Sequence, residues 1–287
     1  MNKYVIITPV RDEEEFIKFT LESVVSQTVR PVEWVIVDDG SKDGTGEILE
    51  EYAARFGWIK VVKRGDRGCR KAGGGVIEAF YDGYAAISAT DWDFIVKLDG
   101  DLSFPPDYFE RCFQEFRENP RLGICGGKIF NLINGVPVGE PAPLFHVRGA
   151  TKIYGRKCWD QIGGLIAAPG WDTLDEVKAN MLGWNTCTLP ELELIHYRPT
   201  GAADGDWKNA FKNGRANYIS GYHPVFMLLK CLKRLFKPPY IVETAGLLSG
   251  YISGYLLRIH RVPDPKLIRY LRRQQLRKLV GLSSLWN

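Results

Sequence analysis

Four short apolar runs near the start of the chain all stop in the same manner. Tyr4–Thr8 ends at Pro9, and Trp34-Val35-Ile36-Val37 ends at Asp38-Asp39-Gly40-Ser41. Ile59–Val62 runs into a glycine-rich basic loop, and Phe94-Ile95-Val96-Lys97-Leu98 into Asp99-Gly100-Asp101. Between them lie helical patterns: Phe16, Phe19, Leu21, Val24 and Val25 after Asp12, then Glu47–Phe56, then Val76–Ile87. Apolar strands alternating with helices predict an α/β fold, a mostly parallel central sheet with helices on both faces. Ligands bind such sheets beyond the carboxyl ends of the strands. The four stops therefore fall at one edge, where they can build one site.

Asp99 and Asp101 point the same way if the strand stays extended. Two like charges so close call for a cation or for donors between them. Mg²⁺ commonly takes one or two carboxylates plus phosphate oxygens, so Asp-x-Asp suits a metal held together with a ligand's phosphates. Gly100 would leave the backbone open to a bulky ligand. The competing reading is a polar turn after a buried strand. The loop Arg64–Gly75 brings Arg64, Arg67, Arg70 and Lys71 to the start of a helix, which suits phosphate, or else it is a surface loop. It is neither a dinucleotide fingerprint nor a Walker loop.

Further on, the pattern predicts a helix over Tyr108–Glu118 and an apolar segment over Leu122–Ile129. Gly170-Trp171-Asp172 then opens another helix, so Asp172 is either its cap or a base at the mouth of the site. His196 follows the short run Leu192–Ile195 and precedes a polar, glycine-rich loop, Gly201–Trp207. A histidine there is either a satisfied structural residue or a third metal ligand.

Charge divides the chain. From Trp207 onward there are 15 Lys and Arg against two acids, Glu243 and Asp264, whereas the preceding part carries 23 bases and 32 acids. A basic tail on an acidic body points to an anionic surface. Residues 221–287 are therefore set apart from 1–220 as a basic amphipathic helical appendage. Pro224–Phe236 and Lys266–Leu279 suit a membrane interface. Ile241–Leu257 has 17 residues, with Glu243 and the spaced Gly246, Gly250 and Gly254 inside. It reads as an interfacial or helix-pairing segment, the latter allowing a homo-oligomer, ahead of a true span. No module or aromatic-basic platform points to nucleic acid. Six scattered cysteines without a Cys-x-x-Cys pair, and an apolar N-terminal run soon broken by Pro9, predict a cytoplasmic protein. With the tail, this becomes peripheral placement at the inner face of the cell membrane.

Together these residues resemble the family 2 glycosyltransferases, inverting enzymes of the GT-A nucleotide-sugar fold, over roughly residues 3 to 220. The resemblance rests on Ile7-Thr8-Pro9-Val10-Arg11-Asp12-Glu13, Ser23–Thr28, Val35–Thr45 and Asp99-Gly100-Asp101, then on Arg148-Gly149-Ala150 and Gly163-Gly164. Trp171-Asp172 lies where the family's Glu-Asp pair supplies the catalytic base, with Trp in place of Glu.

The resemblance implies that Thr8, Pro9 and Glu13 frame the nucleoside. It further implies that Asp39 accepts from the nucleobase with Asp38 toward the ribose, and that Asp99 contacts sugar or ribose. Asp101, with Asp99 and His196, would hold Mg²⁺ or Mn²⁺, while Arg67, Arg70 and Lys71 steady the diphosphate. Asp172, or in reserve Asp175, would deprotonate the acceptor. The implied function is transfer from a nucleoside diphosphate sugar to a glycan or lipid-linked acceptor in cell-envelope or exopolysaccharide synthesis. The alternative is a catalytically silent binding or scaffold subunit of a membrane glycan-assembly complex.

Overall fold

Every residue of β1 (Tyr4–Val10) is buried, because both faces of the sheet at this strand are covered. Tyr4 and Ile6 face one hydrophobic core and Val5 and Ile7 the other, as the two-residue period of a strand requires. The computed structural model describes residues 2–66, 68, 74–198, 205–236 and 241–286. After β1 come α1 (Ile17–Val25), β2 (Glu33–Asp38), α2 (Thr45–Arg55), β3 (Ile59–Lys63), α3 (Gly74–Ala86) and β4 (Phe94–Leu98). These build the parallel ladder β3-β2-β1-β4.

Next follow β5 (Leu102–Ser103), α4 (Tyr108–Glu118), β6 (Leu122–Ile133), β7 (Val136–Gly139), β8 (Thr151–Gly155), α5 (Arg156–Ile162), α6 (Trp171–Met181) and β9 (Asn185–His196). They extend the sheet to nine strands in the order β3-β2-β1-β4-β8-β6-β9-β5, with β7 beside β6. Here antiparallel ladders enter: β8 runs against β4 and β6, and β5 against β9. The first core packs α1, α2 and α4 on one face, and the second packs α3, α5 and α6 on the other.

Two strand limits differ from the sequence pattern. Pro9 does not end β1 but pairs in register with Val37, and the strand runs on to Val10. The run Leu192–Ile195 is the end of a 12-residue strand, β9. Its pairing with β6 jumps from Gly127↔Leu189 to Lys128↔Glu193, so Pro190, which has no N–H to donate, sits in the irregularity.

The C-terminal helices are α7 (Asp206–Ile219), α8 (Pro224–Arg234), α9 (Ile241–Leu256) and α10 (Pro265–Leu279). They share a third core with α6, in which Leu174 and Val177 meet Tyr218, Met227, Leu247 and Leu267. The spaced glycines of α9 pair it with α7 of the same chain. A Cβ on Gly250 would lie 2.0 Å from the Phe211 carbonyl oxygen, and one on Gly214 would lie 2.0 Å from that of Leu247. The expected 220/221 boundary falls between α7 and α8, while α7 itself packs along α9. Among the described residues no helix is long and apolar enough to cross a membrane.

Candidate active site

The carboxyl ends of β1, β2, β3 and β4 are tied into one rim. Asp39 N donates to Val10 O at 2.8 Å, Arg64 N to Asp38 O at 2.9 Å, and Asp99 N to Ala150 O at 2.8 Å. Asp38 Oδ1 accepts from Ser41 N at 2.9 Å, which fixes the turn after β2. Asp39 is bound by Arg64 Nη1 at 2.5 Å, and Arg64 also reaches Asp82 at 2.6 Å. Arg11 crosses the same rim, from Asp39 O at 3.1 Å to Asp66 Oδ1 at 2.8 Å.

Of the three residues expected to frame the nucleoside, two are engaged elsewhere. The Thr8 hydroxyl accepts from Trp34 Nε1 at 2.9 Å, and both side chains are fully buried beneath the rim. Thr8 can therefore offer the site only its backbone. Glu13 is buried and paired with Arg198 Nη2 at 2.5 Å, which ties the segment after β9 to the turn after β1. Pro9 lies at the rim within β1.

Asp99, Asp101 and His196 converge where β4, β5 and β9 meet, each with a ligand atom within 4.8 Å of the others. Pairing of Leu102 with His196 puts the histidine beside the acidic turn. Its Nε2 lies 3.2 Å from Asp101 Oδ2, and its Nδ1 is buried with no hydrogen-bond partner. Gly100 has a different reason from the one its neighbours suggested. A Cβ there would meet Val10 Cγ1 at 2.6 Å, so the glycine seats the turn on β1 rather than opening space for a ligand.

Burial pushes the Asp99 carboxyl above its usual range; Lys97 opposes this and the Asp101 charge adds to it. Burial lowers the pKa of His196, but the hydrogen bond and charge of Asp101 outweigh it and the net shift is upward. Two crowded carboxylates with an imidazole ring nitrogen beside them are a donor set that a divalent cation satisfies. The residues present fit a metal.

Asp172 lies in the first turn of α6 but does not cap it: Gly170 is the N-cap and no side chain bonds there. Half-buried, Asp172 sits against Gly149, whose Cβ would come 3.3 Å from its own. Burial raises its pKa, yet the positive charges of His146, Lys152, Arg148 and Lys97 prevail and hold it below the usual carboxylate range. Asp175 has another role. It is 1% exposed, binds Lys152 Nζ at 2.8 and 2.9 Å, and accepts from the Tyr154 hydroxyl and from Glu176 N. Burial, aided by Glu176 and opposed by Lys152, pushes it up to about 7. Its oxygens are enclosed by Lys152, Tyr154 and the backbone of Glu176.

Arg67, Arg70 and Lys71 lie outside the described residues, as does most of the Gly201–Trp207 loop. The structure adds Lys97, Lys152, His146, Glu176 and Arg198. Lys97 donates to Asp99 and, at 2.6 Å, to Gly149 O; Glu176 pairs with Lys152 and with His146 Nδ1, each at 2.8 Å. A lysine in a strand covered on both faces was the signal for Lys97, since a buried ammonium needs partners. The others depend on partners distant in the chain.

A parallel ladder with an acidic metal-type cluster at its carboxyl rim, extended by antiparallel strands and flanked by helices, is a GT-A-like fold. Residues 5–137, a little under half of the chain, match the family model described as Glycosyl transferase family 2. It is 34% identical over 121 residues to the uncharacterized glycosyltransferase EpsJ of Bacillus subtilis, covering 42% of this chain and 32% of that protein. It is 30% identical over 116 residues to the poly-beta-1,6-N-acetyl-D-glucosamine synthase of Staphylococcus epidermidis, covering 40% and 26%. The aligned part thus spans about a third or less of these relatives' own length. Among solved structures, the mannosyltransferase PcManGT from Pyrobaculum calidifontis, in complex with GDP-Man and Mn²⁺, superposes with a TM-score of 0.56 at 16% identity. That likeness covers 98% of this chain and 76% of the other, and speaks to the fold.

Proposed function

We propose that the protein is an inverting glycosyltransferase that moves a sugar from a nucleoside diphosphate sugar to a hydroxyl of a glycan or lipid-linked acceptor. The observation that carries this reading is the meeting of Asp99, Asp101 and His196 at the strand rim, with Asp172 held ionised by its own set of positive groups. Asp101 and His196 would hold the cation, and the imidazole favours Mn²⁺ over Mg²⁺. A bound divalent ion neutralises charge growing on the departing diphosphate. Asp99, tethered by Lys97, faces the sugar or ribose. Asp38 and Asp39 receive the nucleoside, with Arg64 steering Asp39. Arg67, Arg70 and Lys71 add positive charge at the diphosphate. Asp172 takes the acceptor's proton as its oxygen attacks C1 from the face opposite the diphosphate, so one displacement inverts the anomeric centre. The polysaccharide synthase among its relatives supports a cell-surface or extracellular glycan as product.

Trp171 in the family's glutamate position favours one other reading, a silent nucleotide-sugar-binding subunit. One experiment separates the two. A panel of nucleotide sugars and glycan or lipid-linked acceptors is incubated with the wild type and with Asp172→Asn, and the anomeric configuration of any product is read by NMR. Inverted product that disappears with Asp172→Asn supports the transferase. Nucleotide-sugar binding without turnover on any acceptor supports the silent subunit.

A further inference from the structure

The C-terminal helices carry an apolar stripe and an arginine-lined groove that no part of the sugar-transfer site uses. On α8, Met227 and Cys231 turn inward to the third core. The opposite side exposes Val225, Leu228, Leu229 and Leu232 at helical spacing, and Phe236 follows, 84% exposed. His223 caps α8 and also lines a groove of about 880 Å³ along α10. Arg269, Arg272, Arg273 and Arg277 surround that groove over an apolar floor that includes Ile268 and Leu276. Arg272 and Arg277 are anchored by backbone carbonyls, of Gly221 at 2.8 Å and Ser283 at 2.6 Å. Arg269 and Arg273 are exposed.

The two acids beyond Trp207 are already engaged: Glu243 pairs with Arg234, and Asp264 caps α10 by accepting from Leu267 N at 2.9 Å. Among the described residues, none of the four groove arginines is paired with a carboxylate. Through His223 the start of the α8 stripe adjoins a groove that offers phosphate-binding forks.

We propose that α8 and α10 form a face that docks on an anionic phospholipid bilayer. The groove arginines bind lipid phosphates while the α8 stripe enters the acyl boundary. Charge selects this occupant. A second copy placed face to face would set four arginines against four like charges, which disfavours a symmetric pair. Nucleic acid would meet the arginines but leave the leucine stripe in water. Docking needs no spanning helix, in keeping with the lengths of the described ones. It would also hold the reaction near the bilayer, because Leu267 and Leu271 of α10 pack on α6, the helix that bears Asp172. The inference goes beyond the sugar-transfer reading and stands whether or not turnover is found.

The test is co-sedimentation of the full chain with phosphatidylcholine vesicles, with and without phosphatidylglycerol, at low and raised salt. The protein is expected to pellet with the anionic vesicles, to stay in solution with phosphatidylcholine alone, and to bind less tightly as salt rises. Arg269→Ser with Arg273→Ser should weaken binding roughly 10- to 30-fold. Arg117→Ser with Arg121→Ser, two exposed arginines of the catalytic body, should leave it unchanged, with near-UV circular dichroism confirming the fold of both variants. Leu228→Ser with Leu229→Ser should remove the binding that survives raised salt. Failure to pellet with anionic vesicles would overturn the proposal, as would equal loss from the two arginine pairs. A stable dimer in light scattering that Leu228→Asp dissociates would also overturn it, by assigning the stripe to a second copy.

Discussion

Lys97 and Lys152 stand directly opposite each other across β4 and β8, and both ammonium groups are buried against the Trp171 ring, 5.4 and 5.5 Å from its centroid. Two buried positive charges on neighbouring strands need compensation on both sides. Asp99 supplies it toward the metal-type cluster, and Asp175 and Glu176 supply it beneath α6. The indole offers each ammonium a π face where a glutamate would have brought a third acid. Lys97 also holds the Gly149 carbonyl, next to Asp172, so one strut joins the metal-type cluster to the segment beside Asp172.

Removing Lys152 should be costly. Lys152→Met leaves Asp175 buried without its cation and Glu176 with His146 alone, and the unfolding free energy should drop by about 3–5 kcal/mol. Adding Asp175→Asn and Glu176→Gln to that variant should recover part of the loss. Urea titrations of the single and triple variants check this; equal stability of Lys152→Met and wild type would refute the network.

The two aspartates of α6 should separate in their effects. Asp172→Asn is expected to reduce turnover by roughly 10²–10⁴-fold with little change in nucleotide affinity. Asp175→Asn should act on stability, seen as a lower melting temperature. Steady-state kinetics beside thermal unfolding decides between them, and the reverse pattern would move the base to Asp175.

His146 gives stability a pH dependence. Burial disfavours its charge, but Glu176, 2.8 Å away, outweighs burial and raises the folded pKa above the ordinary histidine value. The stabilisation is then fully present below the unfolded value, about 6.5. It is lost as pH rises through the raised folded value. The stability gap between wild type and His146→Gln should accordingly shrink as pH rises above about 6.5. A gap that stays flat or widens in denaturant titrations would contradict the pairing.

The α7–α9 contact should tolerate no side chain at its glycines. Gly250→Ala would force a methyl to within 2.0 Å of a backbone oxygen and should cost about 1–3 kcal/mol. Gly57→Ala has open space and serves as the control. Equal unfolding midpoints for the two would show that the helices separate readily.

The parallel half of the sheet was legible because buried parallel strands are apolar on both faces and stop at recognisable turns. Tyr4–Thr8 and Phe94–Leu98 fall within or on the observed strands. β9 was only partly visible, since Pro190 interrupts its pattern and its pairing depends on β6, far away in the chain. Asp99, Asp101 and His196 could be named as candidates, but only the pairing of β5 with β9 brings the histidine to the aspartates. The network of Lys152, Asp175 and Glu176 was hidden for the same reason: it joins residues on β8 and α6 that sequence spacing does not relate. The α9 glycines were legible as a close helix contact, although their partner α7 was not, whereas Gly100 suggested open space for a ligand and is instead packed on Val10.

The central claim is that Asp101 and His196 hold a cation that brings a nucleoside diphosphate to the rim. Calorimetric titration of the wild type, Asp101→Ala and His196→Ala with a panel of nucleoside diphosphates, with Mn²⁺ or with chelator, tests it most directly. At least one diphosphate should bind the wild type in Mn²⁺, lose that binding with chelator, and bind Asp101→Ala more than roughly 100-fold more weakly. Absence of binding across the panel, or wild-type affinity in both variants, would contradict it.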